Sequence, residues 1–79
     1  MGIEYLIRVE LPAEVDPKAI LCRLENPKDE NGWEAFTASV VSNGYYFCDN
    51  CWSAESTIAF RALVDHSLLY SGSVIVEQS

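Results

Sequence analysis

The sequence is short of positive charge: five Lys and Arg stand against twelve Asp and Glu, giving a formal net charge of −7 over 79 residues. A field of that sign opposes direct binding to DNA, RNA or an anionic membrane surface. No apolar run approaches the ~20 residues that a membrane span needs. The N-terminal stretch MGIEYLIRVE carries acid inside its apolar run, unlike a signal peptide. The single histidine, His66, restricts general-base schemes to one imidazole, and on a helix its neighbour Asp65 lies 100° away from it. Four glycines build no phosphate-binding loop, and no Ser, His and Asp stand in a nucleophile context. No catalytic residue stands out, no cofactor is expected, and the chain reads as non-enzymatic.

What is present is enough for one core. Hydrophobic residues make up 49% and charged residues 22%, which excludes a disordered tail. A chain this short holds a single domain, residues 1–79, and leaves little interior for an elaborate active site.

Along the chain, Ile3, Tyr5, Ile7, Val9 and Leu11 alternate with Glu4, Arg8 and Glu10, the pattern of a half-buried strand over 3–11. Asp16-Pro17 reads as a helix N-cap followed by proline in the first turn. Ile20, Leu21 and Leu24 continue an apolar stripe to about Asn26, where Asn26-Pro27 ends the helix. The polar loop PKDENG follows. Trp33 to Ser42 and Tyr45 to Asp49 flank Asn43-Gly44, a strong hairpin signal. With Asn43-Gly44 as the turn, Ser42 faces Tyr45, Val41 faces Tyr46 and Val40 faces Phe47. Phe36, Ala38, Val40, Tyr45 and Phe47 then share the core side, while Thr37, Ser39, Val41, Tyr46 and Cys48 share the other. Ser53 is the expected cap of a second helix running to about Tyr70, with Phe60, Leu63, Val64 and Leu68 inward and Gly72 as its stop. Ser73 to Gln78 closes the chain as a strand. The order β-α-β-β-α-β, with right-handed crossovers, predicts an α+β domain of the ferredoxin-like split βαβ type. Its four-stranded antiparallel sheet would carry both helices on one face.

Cys48-Asp49-Asn50-Cys51 is the one segment resembling a reactive motif, a CxxC pair where a strand gives way to a helix. Asp49 between the sulfurs opposes thiolate formation, and the strand order departs from a thioredoxin core. A redox protein or redox sensor using Cys48 and Cys51 is therefore the alternative reading, behind that of ordinary small side chains at a strand end. Structural zinc would draw its four ligands from Cys22, Cys48, Cys51 and His66. A continuous second helix would hold Cys51 and His66 roughly 22 Å apart, so no metal site is expected. Three cysteines without a signal peptide point to a reducing compartment, the cytoplasm.

Two surfaces are candidates for a partner. Residues 25–34 hold four acids against Lys28, a net −3, and include Trp33. Asp29, Glu30 and Glu34 would steer a basic partner while Trp33 anchors it. On the outer side of the second helix Ile58, Ala62 and Leu69 align with Asp65, an apolar patch rimmed by charge. Spread through the chain, −7 matches only about 12 Å of duplex, which excludes a long DNA mimic and leaves local blocking of a basic groove. By size, acidity and absent catalytic groups, the profile resembles immunity proteins, antitoxins and phage anti-defence proteins of the anti-restriction or anti-CRISPR type. The expectation is a protein-binding inhibitor that occludes a basic, nucleic-acid-handling surface and does not itself touch nucleic acid or membrane. A third reading is self-association, for example as a homodimer, through the strand face with Leu6, Val41 and Tyr46.

Overall fold

The computed structural model describes residues 2–79. Its elements run β1 (Ile3–Arg8), α1 (Pro17–Cys22), β2 (Phe36–Val41), β3 (Gly44–Asp49), α2 (Glu55–Ser71) and β4 (Ile75–Gln78). The protein is α+β, with a four-stranded antiparallel sheet in the order β2-β3-β1-β4 and two helices. No helix among the described residues is long and apolar enough to cross a membrane.

Elements are shorter than the sequence pattern suggests, each for a local reason. β1 stops at Arg8 rather than Leu11, although Val9 stays buried and donates its N–H to Asn43 O. Pro12, which has no N–H, follows shortly after. α1 begins as expected, with the Asp16 carboxylate accepting from Lys18 N and Pro17 in the first turn. It ends at Cys22 instead of Asn26, tightening into i→i−3 bonds from Arg23 N to Ile20 O and from Leu24 N to Leu21 O. Asn26 is thereby released for another task. β2 begins at Phe36, not Trp33, because residues 28–34 fold back on themselves through a bridge between Lys28 and Glu34. β4 begins at Ile75 instead of Ser73.

The hairpin pairs Val41 with Gly44, Val40 with Tyr45 and Ala38 with Phe47. Ser42 and Asn43 therefore form the turn, not Asn43-Gly44. The turn moves back by one residue and each cross-strand partner therefore shifts by two, so the face assignments are unchanged: Phe36, Tyr45 and Phe47 are buried, whereas Thr37, Ser39 and Val41 are exposed. Gly44 sits inside the strand at φ +142°, close against β1.

α2 starts at Glu55, with Ala54 at the cap position and the Ser53 hydroxyl accepting from Glu55 N. Gly72, in the left-handed region at φ 75°, ends it. Its buried face differs from the expected one: Ser56, Ala59, Leu63 and Ser67 are buried, Phe60 and Val64 flank them, and Leu68 is exposed. Small residues let the helix lie close to the sheet. The two serines are buried without orphaned hydroxyls, since Ser67 Oγ donates to Leu63 O and Ser56 Oγ lies 2.8 Å from both Asp49 Oδ1 and Ser53 O.

The core joins sheet and helix through aromatic rings. Phe36 stacks on Phe47 at 4.9 Å, Phe47 meets Phe60 edge-on at 5.3 Å, and Phe60 meets Tyr5 at 4.8 Å. Tyr45 is fully buried with its hydroxyl directed to Pro17 O. Burial raises its pKa, and the nearby Asp16 carboxylate raises it further.

Candidate functional site

The acidic loop between α1 and β2 is an ordered structure, and its own polar residues make it so. Asp29 Oδ1 accepts from Asn31 N at 2.8 Å and from Trp33 N at 2.9 Å, an Asx-type turn that the short carboxylate side chain favours. Asp29 N donates to Trp33 O, and Gly32 N donates to Asp29 O. Gly32 takes φ +83°, which glycine adopts without a steric penalty.

Asn26, set free by the early end of α1, ties this loop to β2. Its side-chain oxygen accepts from Phe36 N, and its Nδ2 reaches Phe36 O and Glu34 Oε2. The far side is fixed by the segment after β3. Asn50 Nδ2 and Trp52 Nε1 both donate to Glu34 O, at 2.9 and 2.8 Å, and Asn50 N donates to Ala35 O. Trp52 thus props the loop while remaining 41% exposed.

Trp33 is 63% exposed and borders a shallow depression lined by Asn31, Gly32, Glu34, Thr37 and Asn50. A large aromatic ring left in water on a pinned backbone is preorganised for contact, because little ordering entropy remains to be lost on binding. The expected steering acids divide by role. Asp29 is committed to the loop backbone, Glu34 is partly committed to Asn26, and Glu30 is exposed. Sequence reasoning overlooked Trp52, Asn26 and Asn50. Indole and amide donors spaced eight to eighteen residues from their acceptors leave no local periodic signal.

The helix patch comes apart in space. Ile58 and Ala62 line a groove against Arg23 and Leu24, whereas Leu69 lies eleven residues further along, about 16 Å at 1.5 Å per residue. Between them Asp65 is held in an i,i+4 ion pair with Arg61 at 3.1 Å. On the open sheet face, Tyr46 donates to Glu4 Oε1 and Arg8 pairs with Glu77. The Glu4 hydrogen bond raises the Tyr46 pKa. Leu6 and Tyr46 are half-buried there, and Val41 is exposed.

Cys22, Cys48 and Cys51 are free thiols. Cys48 Sγ lies 3.7 Å from Asn50 Oδ1, and Cys51 Sγ lies 3.3 Å from Asp49 O, so the two sulfurs address different acceptors. Cys51 adopts φ +65°, the left-handed region, held by its N–H donating to Asp49 Oδ1 at 2.7 Å. Replacing Cys51 with glycine relieves that conformation and is expected to stabilise the fold by about 0.5–1 kcal/mol. A higher urea midpoint at unchanged slope would register it. An unchanged or lower midpoint would show that the Cys51 side chain compensates its backbone.

An open depression of about 540 Å³ lies at the far edge of the molecule, bordered by Arg8, Glu10, Asn43, Ser71 and Ser73. Among the described residues, no three His, Cys, Asp or Glu side chains are grouped as a metal site would need. Compared with known proteins, the chain matches no family model, no curated protein and no solved structure.

Proposed function

We propose that this chain is an acidic, non-enzymatic protein-binding module that inhibits a partner by covering a basic, nucleic-acid-handling surface. The carrying observation is Trp33, 63% exposed on a loop whose backbone is fixed by Asn26, Asp29, Asn50 and Trp52. Exposed tryptophan is a common hot-spot residue, and acid around it favours Lys and Arg on the partner, which pack against indole faces. Glu30 supplies long-range attraction, with Trp33 and the edge of Trp52 as anchors. The net charge of −7 supports steering toward a positive groove and repels the groove's nucleic acid.

The scaffold reading that goes with this is ferredoxin-like. Taken from the opposite edge, the sheet order is β4-β1-β3-β2, and all three pairings are antiparallel. A reducing, cytoplasmic setting fits three free thiols.

The test begins with affinity capture from the source cell, followed by calorimetric titration of the purified partner. Trp33→Ala should weaken binding more than tenfold, as loss of a hot spot of about 2 kcal/mol implies. Glu30→Lys, which leaves the loop's internal bonds alone, should slow association and flatten its salt dependence. Nucleic acid should compete with the protein for the partner. If neither substitution changes the affinity, or if nucleic acid and protein bind the partner together, the proposal is wrong.

A further inference from the structure

The backbone donors of the acidic loop all turn to one residue. Asn31 N and Trp33 N donate to Asp29 Oδ1 at 2.8 and 2.9 Å, and Gly32 N donates to Asp29 O at 3.0 Å. None of the three is left to hold an anion in the depression that Asn31, Gly32 and Trp33 border. Asn50, which also lines it, directs Nδ2 to Glu34 O and its backbone N to Ala35 O. Its Oδ1 meets only the Cys48 thiol, a weak donor, at 3.7 Å.

Glu34 adds a carboxylate that no cation of the chain neutralises. Its Oε2 accepts from Asn26 Nδ2 at 2.9 Å, which orients the group and leaves Oε1 open. Lys28 stands across from Glu34 in the bridge, yet the ion pairs among the described residues are Arg8–Glu77 and Arg61–Asp65. The exposed Trp33 indole supplies an aromatic wall, and Thr37 a hydroxyl that can either donate or accept. The hollow measures about 310 Å³, at the small end of ligand pockets, which run from ~300 to ~1,000 Å³. That suits one long side chain better than a cofactor.

We infer, on the reading of the Trp33 loop as the contact with a basic protein, that this hollow takes one arginine side chain of the partner. The guanidinium stacks on the Trp33 indole and directs N–H groups at Glu34 Oε1 and Asn50 Oδ1. Arginine has donors only, carries a fixed positive charge and is flat, so it matches acceptors, carboxylate and ring at once. A lysine ammonium is compact and strongly hydrated, and it cannot lie flat on the ring while reaching both oxygens. An apolar side chain would cover Glu34 and Asn50 oxygens without giving them a donor. A nucleobase can stack on tryptophan, but its phosphate would meet acid and find no free backbone N–H.

NMR titration of the isotope-labelled whole chain with acetyl-Gly-Arg-Gly-amide, read from the Trp33 indole N–H, tests the assignment. Binding in the millimolar range is expected for one exposed ring contact plus one ion pair. The lysine and citrulline versions of the peptide should each bind at least about threefold more weakly, the first lacking the flat group and the second the charge. Glu34→Gln keeps an acceptor for Asn26 and should weaken the arginine peptide by about threefold. Glu14→Gln removes the same charge from an exposed acid outside the hollow and should change little. The Trp52 indole N–H, held by Glu34 O, reports that the loop is intact in each variant. Arginine and lysine peptides of equal affinity overturn the assignment, a comparison made on the wild type and independent of any variant's folding. So does a loss in Glu14→Gln equal to that in Glu34→Gln, or adenosine monophosphate binding more tightly than the arginine peptide. Failure of the wider reading looks different: a captured partner indifferent to Trp33→Ala overturns that reading and leaves the peptide selectivity as it was.

Discussion

Gly44→Ala is expected to destabilise the domain by at least about 3 kcal/mol, a large share of the roughly 4–12 kcal/mol that a chain of this length has in total. Two separate effects add. At φ +142° the backbone occupies a region that L side chains rarely enter, worth about 1–3 kcal/mol. The new methyl would also fall 1.9 Å from Ile7 O and 3.1 Å from Val9 N. Both atoms are backbone and cannot rotate aside, so β1 must retreat from β3. The Arg8–Gly44 end of the β1–β3 ladder and the bond from Val9 N to Asn43 O would be lost together, at about 1 kcal/mol for each hydrogen bond. Urea unfolding should show the midpoint falling by about 3 M or more, given a slope of about 1 kcal/mol/M for a small protein. D-alanine at position 44, introduced by chemical synthesis, should escape both effects, since φ +142° is ordinary extended backbone for a D residue and its methyl takes the place of the other α-hydrogen, away from the L-Cβ position that meets Ile7 O. A wild-type midpoint in Gly44→Ala would mean that β1 does not pass so closely.

The same glycine explains why the hairpin was only half legible in the sequence. Asn43-Gly44 is a local signal, and it locates a turn to within two residues. What places the turn one step earlier is β1, a strand more than thirty residues upstream that needs a residue without Cβ beside Ile7. Moving the turn by one residue shifts each cross-strand partner by two, and the face assignments depend only on parity, which that shift preserves. For α2, hydrophobicity pointed to Leu68 as a core residue, whereas Ser56 and Ser67 are inside. A serine that satisfies its hydroxyl on nearby backbone oxygen is a small buried side chain, a property that polarity scales do not carry. The candidate site followed the same rule. Trp33 and its acids stand out in the sequence as composition. The order of their loop does not, because it depends on Asn26, Asn50 and Trp52 meeting Glu34, Ala35 and Phe36 in the folded chain.

That dependence connects the loop to the core and sets the expected result of Phe47→Ala. Phe47 is fully buried, stacked against Phe36 and edge-on to Phe60, with β1 and β2 as its strand's neighbours. Truncating it removes a ring's worth of burial and leaves a cavity that both strands would have to close, at about 3–5 kcal/mol. At roughly 4–8 °C per kcal/mol for a domain of this size, Tm should fall by at least about 12 °C. Phe47→Leu keeps most of the volume and should fall by much less. Phe36, the stacking partner, is the residue whose backbone is clamped by the Asn26 side chain, and Asn26 in turn holds Glu34, which borders Trp33. The chain's two tryptophans, Trp33 and Trp52, both sit at this loop, so their emission reports the site while far-UV circular dichroism reports the sheet and helices. If the loop is anchored through Phe36 as the hydrogen bonds require, the two signals should melt together in Phe47→Ala as they do in the wild type. A tryptophan transition that stays at the wild-type temperature while the sheet melts early would show that the loop keeps its form without the core beneath it.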